Sequence, residues 1–419
     1  MDAFPQQTAD SLAKKTRLFT KPFILIWLST LCSGLSISMF LFSQTWYIIQ
    51  VLRQEAALGI VFIAATLPRL AFMLIGGVVA DQWSKKGILF ASSLLKACLM
   101  LVLGAFTWWS HSSLPLFVVF AFLFGTIDAF FWPAQNSIIP SLVSPSSLLR
   151  ANSILQTTSQ TSLLIGPLLA GFIIEWDSYS LLYGSVAMLL FFSSVSVLVI
   201  SIPKSSVRLF SSQASLLDSI KEGFLYAKQS VFLPRLLTAV ICLNLFLMGP
   251  LHIGLPLFVK QVLSGTTLQY SFLEGSLAFG MLTGAAVLTV TPQPQNKIHV
   301  AFLFMIMQAL VFFSFSLTHQ LWLSMLVLFT LGLTFSLVNI PILAFVQERV
   351  PEVSLGKIMS LLSLASLGLQ PISQAMTSLL IAYGFTAKQI IFGASVPLLF
   401  ASCFFYWRQS RAQSTVQSG

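Results

Sequence analysis

Residues 76–87 read Gly-Gly-Val-Val-Ala-Asp-Gln-Trp-Ser-Lys-Lys-Gly, a glycine-rich segment followed by one acidic and two basic residues. Apolar runs at residues 57–80 and 88–109 lie on either side of this acid and these bases, and each is long enough to cross a lipid bilayer. A short charged turn between two such runs joins two rigid helices at one face of a membrane. The segment therefore predicts a protein whose helices cross the bilayer repeatedly.

The composition supports the same class of protein. Of the 419 residues, 56% are hydrophobic and only 8% are charged, and 38 are phenylalanine. A soluble globular protein carries about 25% charged residues, which it needs to cover its surface. The chain cannot cover its apolar residues with polar ones, so we expect an all-α protein that spans a membrane.

The number of spans follows from the length of each apolar run. A helix rises 1.5 Å per residue, so a span needs about 20 residues. Twelve runs meet this condition: 23–49, 57–80, 88–109, 116–138, 152–174, 180–202, 234–259, 271–291, 299–318, 321–345, 358–382 and 386–407.

The basic residues predict how these spans are oriented. With both termini in the cytoplasm, seventeen lysines and arginines fall on the inner side and three, Arg53, Lys260 and Lys388, on the outer side. An excess of basic residues in the cytoplasmic loops is typical of helical membrane proteins. The net charge of +10 is thus spread over alternate loops rather than gathered in a stripe, which argues against nucleic-acid binding. We expect a bacterial inner-membrane protein.

A polar stretch near the middle of the chain divides it in two. Residues 1–202 hold the first six spans, residues 203–233 form a cytoplasmic linker, and residues 234–419 hold the other six. Within the linker, apolar residues at helical spacing in 215–228 predict a short amphipathic helix.

The two halves of the sequence also place prolines and polar turns in a similar order. We expect Pro133 to end the fourth span. Pro341 lies 208 residues later, in the tenth span, and each of these prolines is followed by a second proline and a polar turn. We therefore predict two pseudo-symmetric six-helix bundles with a cavity between them inside the membrane.

Three charged residues fall deep inside spans of the first half. Arg69 lies twelve residues before Asp81, which places it about 18 Å from that end of its helix. Asp128 and Lys96 reach similar depths on the fourth and third spans. A charge at the bilayer centre costs roughly 2.5–3.5 kcal/mol, so such groups face the bundle interior and find partners. We predict a cluster of Asp128 with Arg69, with Lys96 either joining it or extending toward the inner surface.

Three roles are open for this cluster. It can be a static ion pair that orders the helices, a proton-coupling site, or a direct contact for a charged substrate. Cations stabilise an ionised carboxylate, whereas desolvation stabilises the neutral acid. A carboxylate held between these effects can bind a proton in one conformation and release it in another.

Other polar residues carry weaker signals. Asn244 and Asn339 lie within spans and are candidate cavity-lining residues, although hydrogen bonds between helices explain them equally well. The four histidines and four cysteines have no metal-ligand spacing, and no phosphate-binding loop motif occurs. We therefore predict no metal, no cofactor, no ATP-driven transport and no enzymatic activity.

The segment that follows the second span resembles the signature loop of the major facilitator superfamily, G-x-x-x-D-[RK]-x-G-[RK]-[RK]. The matching residues are Gly77, Asp81, Lys85 and Lys86, whereas Gln82 and Ser84 depart from the motif. The resemblance implies that the acid and the bases form a gate on the cytoplasmic side, where they bridge the two bundles.

The fifth span contains Gly166, Pro167 and Gly171, in a stretch similar to the G-P-x-x-G-G motif of exporters in that superfamily. Residues 130–134 and 346–351 resemble the branch that contains the macrolide efflux proteins and the enterobactin exporter. The resemblance implies a secondary active transporter that exports a small amphipathic molecule, a drug or a siderophore-like metabolite, in exchange for protons.

Two other functions remain open. The same fold could import a metabolite or a lysolipid, or facilitate its movement, and a non-transporting membrane sensor is a more remote alternative. We expect a monomer whose partners are a small-molecule substrate, protons and membrane lipid.

Overall fold

A computed structural model describes residues 19–109, 112–143, 147–176, 178–200, 224–230, 232–291 and 296–417. Side chains are described for most of these residues, the exceptions being 73–78, 80–82, 140, 149, 352–357, 360 and 412–417. In this part of the chain all regular structure is helical, which confirms the predicted all-α class.

The main helices are numbered in chain order. They are α1 (Lys21–Gln50), α2 (Leu58–Gln82), α3 (Lys85–Trp108), α4 (Leu114–Leu142), α5 (Leu148–Glu175), α6 (Tyr179–Leu198), α7 (Leu233–Gly249), α8 (Leu255–Gln261), α9 (Thr267–Val290), α10 (Lys297–Phe315), α11 (Leu321–Arg349), α12 (Glu352–Leu367), α13 (Gln370–Ala382) and α14 (Ala387–Gln417).

Eleven helical segments in the described part of the chain are long and apolar enough to cross a membrane. They correspond to eleven of the twelve predicted spans. The predicted span 358–382 differs, because it is divided into α12 and α13 at Gly368 and Leu369. Pro371, in the first turn of α13, has no backbone N–H to continue the helical ladder, which explains a break just before it.

The seventh span is continuous but irregular. A π-helical turn, Pro250–Gly254, connects α7 to α8. By contrast, Pro133 and Pro341 lie inside α4 and α11 and do not end these helices.

The contacts between Cα atoms divide the chain into two compact units. The first unit takes in the described residues of Met1–Gln44 and Ala64–Ser211, and the second those of Thr45–Ile63 and Ser212–Gly419. Most of the predicted linker, 203–233, lies outside the described residues. Among the linker residues that are described, 224–229 are helical.

In the first unit, α1 and α5 approach each other along small residues. A Cβ atom on Gly34 would lie 2.8 Å from the Ser162 hydroxyl, and one on Gly166 would lie 2.5 Å from the Ser38 Cβ. On each helix the glycine and the serine are four residues apart, which is about one helical turn. The glycine of each helix lies opposite the serine of the other. Close approach through small residues is a common way for helices to pack in a membrane.

The second unit repeats this kind of packing between α7 and α13. A Cβ on Gly249 would lie 2.2 Å from the Ser373 carbonyl oxygen. The Ser373 hydroxyl also donates to the Leu245 carbonyl at 2.6 Å and accepts from the Gly249 amide at 2.7 Å. Serine here satisfies the backbone where the two helices are closest.

A second close approach occurs in each unit at equivalent places. In the first, Gly125 on α4 would bring a Cβ to 1.9 Å from the Ala65 carbonyl oxygen on α2. In the second, Gly332 on α11 would bring one to 2.0 Å from the Leu277 carbonyl oxygen on α9. Because Gly125 precedes Asp128 by only three residues, the contact in the first unit sets the position of the predicted charge cluster.

Candidate functional site

The three charged residues predicted to cluster do meet in the first unit. One carboxylate oxygen of Asp128 on α4 lies 3.1 Å from the Lys96 ammonium on α3. The other lies 3.5 Å from Arg69 Nε on α2 and accepts a 3.0 Å hydrogen bond from the Trp132 indole N–H. Three helices therefore converge on one carboxyl group.

Burial of the cluster is uneven. Lys96 is 0% exposed and the Asp128 side chain 4%, whereas the Arg69 side chain is 43% exposed. The alternative in which Lys96 extends to the inner surface is therefore wrong. Its ammonium group lies 4.2 Å from the ring centroid of Phe131, and this aromatic face stabilises the buried cation.

The cluster holds two cations and one carboxylate, and among the described residues no second anion lies within ion-pair distance of Arg69 or Lys96. When Asp128 is ionised the cluster carries one surplus positive charge, and protonation of Asp128 raises the surplus to two. Because Coulomb energies grow in a medium of low dielectric, a change in this charge has a large effect on neighbouring groups.

The structure leads to a prediction about Lys96. Removing one partner of a buried ion pair costs about 3–5 kcal/mol, whereas replacing both partners by neutral groups is often close to neutral. We expect Lys96→Met to destabilise the protein near the lower end of that range, since Arg69 and Trp132 still contact Asp128. Lys96→Met/Asp128→Asn should recover most of the loss. Thermal unfolding of the purified protein measures both effects.

A matched control for this prediction is Lys388→Met. The Lys388 ammonium lies 3.1 Å from His319 Nε2, in an exposed contact rather than a buried ion pair. This change should leave the unfolding temperature nearly unaltered. Equal unfolding temperatures for Lys96→Met and wild type would show that Lys96 contributes little to the cluster.

The signature-loop residues have a different setting. The turn between α2 and α3 is only two residues long, and Ser84 caps α3 by accepting from the Gly87 amide at 3.3 Å. Lys85 donates to the Ser137 carbonyl at 2.9 Å, and Lys86 donates to the Ile200 carbonyl at 2.8 Å. Cations at carbonyls near helix C-termini are favourable for α4 and α6. Gly77 and Asp81 lie in α2, and their side chains are outside the described set.

The exporter-type motif lies in α5. Gly166 forms the close contact with Ser38 described above, Pro167 lies inside the helix, and Gly171 is buried. In this structure the motif contributes to the packing of α5.

The two candidate asparagines lie in the second unit. The Asn244 amide donates to the Val240 carbonyl, and the Asn339 amide donates to the Phe335 carbonyl, each at 2.9 Å and within its own helix. Asn339 is exposed and Asn244 is half-buried.

Beside the charge cluster lies a cavity of about 450 Å³ that sequence reasoning missed. Its lining on α4 includes Trp132, Gln135 and Asn136, and its lining on α5 includes Asn152, Gln156 and Ser159. Trp132 and Asn136 are four residues apart on α4, as are Asn152 and Gln156 on α5, so the lining of each helix falls largely on one face. That polar pattern in the fourth and fifth spans was the available signal.

Trp132 belongs both to the cavity and to the cluster. It lines the cavity and donates its indole N–H to Asp128. It lies four residues after Asp128 on α4, the spacing at which two side chains share a helix face. The site is therefore one continuous arrangement, from a buried carboxylate through an indole ring to a polar pocket.

Membrane-spanning helices that hold a charge cluster beside a polar cavity are typical of a membrane transporter. Comparison with known proteins places it more closely. Residues 26–373 match the family model of the Major Facilitator Superfamily. The chain belongs to this superfamily, whose members are transporters rather than enzymes.

Its relatives include efflux proteins. Macrolide efflux protein A of Streptococcus pyogenes is 26% identical over 281 residues, covering 66% of this chain and 68% of the relative. Macrolide efflux protein A of Enterococcus faecalis is 28% identical over 237 residues, covering 55% and 72%. Among solved structures, the nucleoside transporter NupG superposes with a TM-score of 0.70 at 11% identity, over 93% of this chain and 98% of that chain. The last similarity concerns the fold.

Proposed function

We propose that this transporter exports a small amphipathic molecule in exchange for protons. The observation that carries the proposal is the Asp128 carboxylate, buried against two cations and linked through Trp132 to the wall of a polar cavity. The similarity of the chain to macrolide efflux proteins supports export as the direction of transport.

Asp128 is the residue proposed to carry the proton. Arg69 and Lys96 favour its ionised form, and burial favours its neutral form. When neighbouring helices move, the distance from Asp128 to the cations and the burial of its carboxyl group both change. Such a change of conformation can therefore make Asp128 release or take up a proton. Arg69, which is nearly half exposed, is the member of the cluster with most freedom to move.

The proposed orientation places the cavity where an exporter would load. With both termini in the cytoplasm, α4 ends and α5 begins at the cytoplasmic face, and the cavity lies between Asp128 and that face. A substrate from the cytoplasm would thus reach the cavity before the carboxylate. A bacterial plasma membrane fits this orientation.

Alternating access is the proposed mechanism. The predicted bundles, 1–202 and 234–419 with the linker 203–233, would open in turn to either side of the membrane. Gly77, Asp81, Lys85 and Lys86 would gate the cytoplasmic side, and Gly166, Pro167 and Gly171 would allow α5 to shift against α1. Asn244 and Asn339 are proposed to line the substrate path, and the protein is proposed to act as a monomer.

Reconstitution in proteoliposomes tests this function. The liposomes are given an acidic lumen and screened with cationic dyes, macrolides and siderophores. An antiporter should accumulate its substrate in the lumen, because protons leave as substrate enters. For one proton per substrate, a gradient of about 1 pH unit supports an accumulation of about tenfold.

The reverse gradient discriminates the alternatives. Accumulation driven by an alkaline lumen would indicate symport, and hence import of a metabolite. Equilibration that ignores both gradients would indicate a facilitator. A protonophore should abolish accumulation if protons drive it.

A further inference from the structure

The walls of the cavity carry unused hydrogen-bonding groups. Within the described part of the chain, the side-chain amides of Asn136, Asn152 and Gln156 have no hydrogen-bond partner, and all three residues are exposed. Their donors and acceptors are therefore available to a molecule that enters the cavity. Here they converge on a space large enough for a ligand.

A fourth amide is already held in place. Gln135 is 4% exposed and donates to the Thr30 hydroxyl at 2.8 Å, and Thr30 in turn donates to the Ile26 carbonyl at 2.8 Å. This chain of bonds orients Gln135 in the cavity wall. Binding sites carry a small number of precisely placed polar groups, and Gln135 is a polar group of the cavity lining that is held in place.

The lining also lacks charge. None of the described lining residues is acidic or basic. Amides both donate and accept hydrogen bonds, and Ser159 adds a hydroxyl group. Trp132 adds an aromatic surface with an apolar body. Such a set recognises a neutral group that carries many hydroxyls on a partly apolar frame.

We propose that this cavity binds a glycosyl or similarly polyhydroxylated part of the transported molecule. That the ligand is part of the transported molecule rests on the proposed function, whereas its binding to the cavity does not depend on proton coupling. The volume of about 450 Å³ is within the range of about 300–1,000 Å³ of small-molecule sites. The apolar remainder of an amphipathic substrate would then extend away from α4 and α5.

Equilibrium binding to the full chain in lipid nanodiscs tests the proposal, at equal pH on both sides. The probes are the glucoside and the cellobioside of 4-methylumbelliferone, with 7-methoxy-4-methylcoumarin as the matched compound without a sugar. All three are neutral and fluorescent. We expect the glycosides to bind at least about tenfold more tightly, which corresponds to about 1.4 kcal/mol.

Variants locate the site. Asn152→Leu and Gln156→Leu should each weaken glycoside binding by about tenfold or more, because each removes an amide without changing charge. Gln160→Leu is the matched control: it removes the same amide from the same helix, at a position that is not among the residues lining the cavity. It should change binding by less than about twofold.

Absence of glycoside binding, or equal binding of the glycosides and the methoxy compound, would overturn the proposal. Full binding by both Asn152→Leu and Gln156→Leu would also overturn it. Circular dichroism and thermal unfolding verify that these variants are folded. Since no gradient is applied, failure of proton-driven transport leaves this result unaffected, and the two proposals can fail separately.

Discussion

Asp128→Asn is expected to reduce proton-driven transport to the level of empty liposomes while the protein still reaches the membrane. Asparagine has nearly the same shape as aspartate but only one acceptor oxygen, so it can accept from Lys96 or from Trp132, and its NH2 group then faces the other donor. It cannot bind or release a proton. Accumulation in acidic-lumen proteoliposomes measures the loss, and downhill exchange of substrate without a gradient should persist in part.

A second variant tests the same prediction in case Asp128→Asn does not fold. Asp128→Asn alone leaves Lys96 buried without a counter-charge, which is costly. Lys96→Met/Asp128→Asn removes both charges and should fold better, yet it should also lack proton-driven accumulation. Normal accumulation of substrate by either folded variant would show that the cluster orders the helices and does not carry the proton. The next candidate would then be Glu274 on α9, which accepts a 2.7 Å hydrogen bond from the Tyr270 hydroxyl.

Gly125→Ala is expected to have the largest structural effect. The added Cβ would lie 1.9 Å from the Ala65 carbonyl oxygen, which belongs to rigid helix backbone. Helices α2 and α4 would have to separate by roughly 1.5 Å to restore ordinary contact. Overpacking of this kind costs about 1–3 kcal/mol, and a contact with backbone belongs at the upper end.

The same change should also impair transport. Separation of α2 from α4 carries Arg69 away from Asp128, whose present separation is 3.5 Å. Misplacement of about 1 Å in a functional site can cost about 100-fold in rate. The measurements are the unfolding temperature and the initial rate of proton-driven accumulation.

Gly184→Ala is the control for this prediction. A Cβ on Gly184, in α6 of the same unit, would meet no atom within 4 Å. It should fold and transport as wild type, or gain slightly from the higher helix propensity of alanine. Wild-type behaviour of Gly125→Ala would mean that α2 and α4 do not approach as closely as the structure shows.

For eleven of the twelve predicted spans, the sequence by itself determined which residues form the membrane helices. In lipid every backbone polar group must be bonded within the helix, so a long apolar run has only one solution. Counting 1.5 Å per residue from the charged ends also placed Arg69, Lys96 and Asp128 at one depth. Because isolated charges are costly at that depth, a contact between Arg69 and Asp128 was predicted from it, whereas Lys96 kept a second option at the inner surface.

Tertiary structure alone decided how those helices are rotated and how near they lie. Lys96 could have reached the surface along its own helix, but the rotation of α3 directs it to Asp128 and Phe131. The cavity between α4 and α5 depends likewise on how these two helices pack against each other. Periodicity along one chain defines a face, but which face meets which neighbour is a property of packing between helices, where glycine contacts such as Gly125 with Ala65 set the distance.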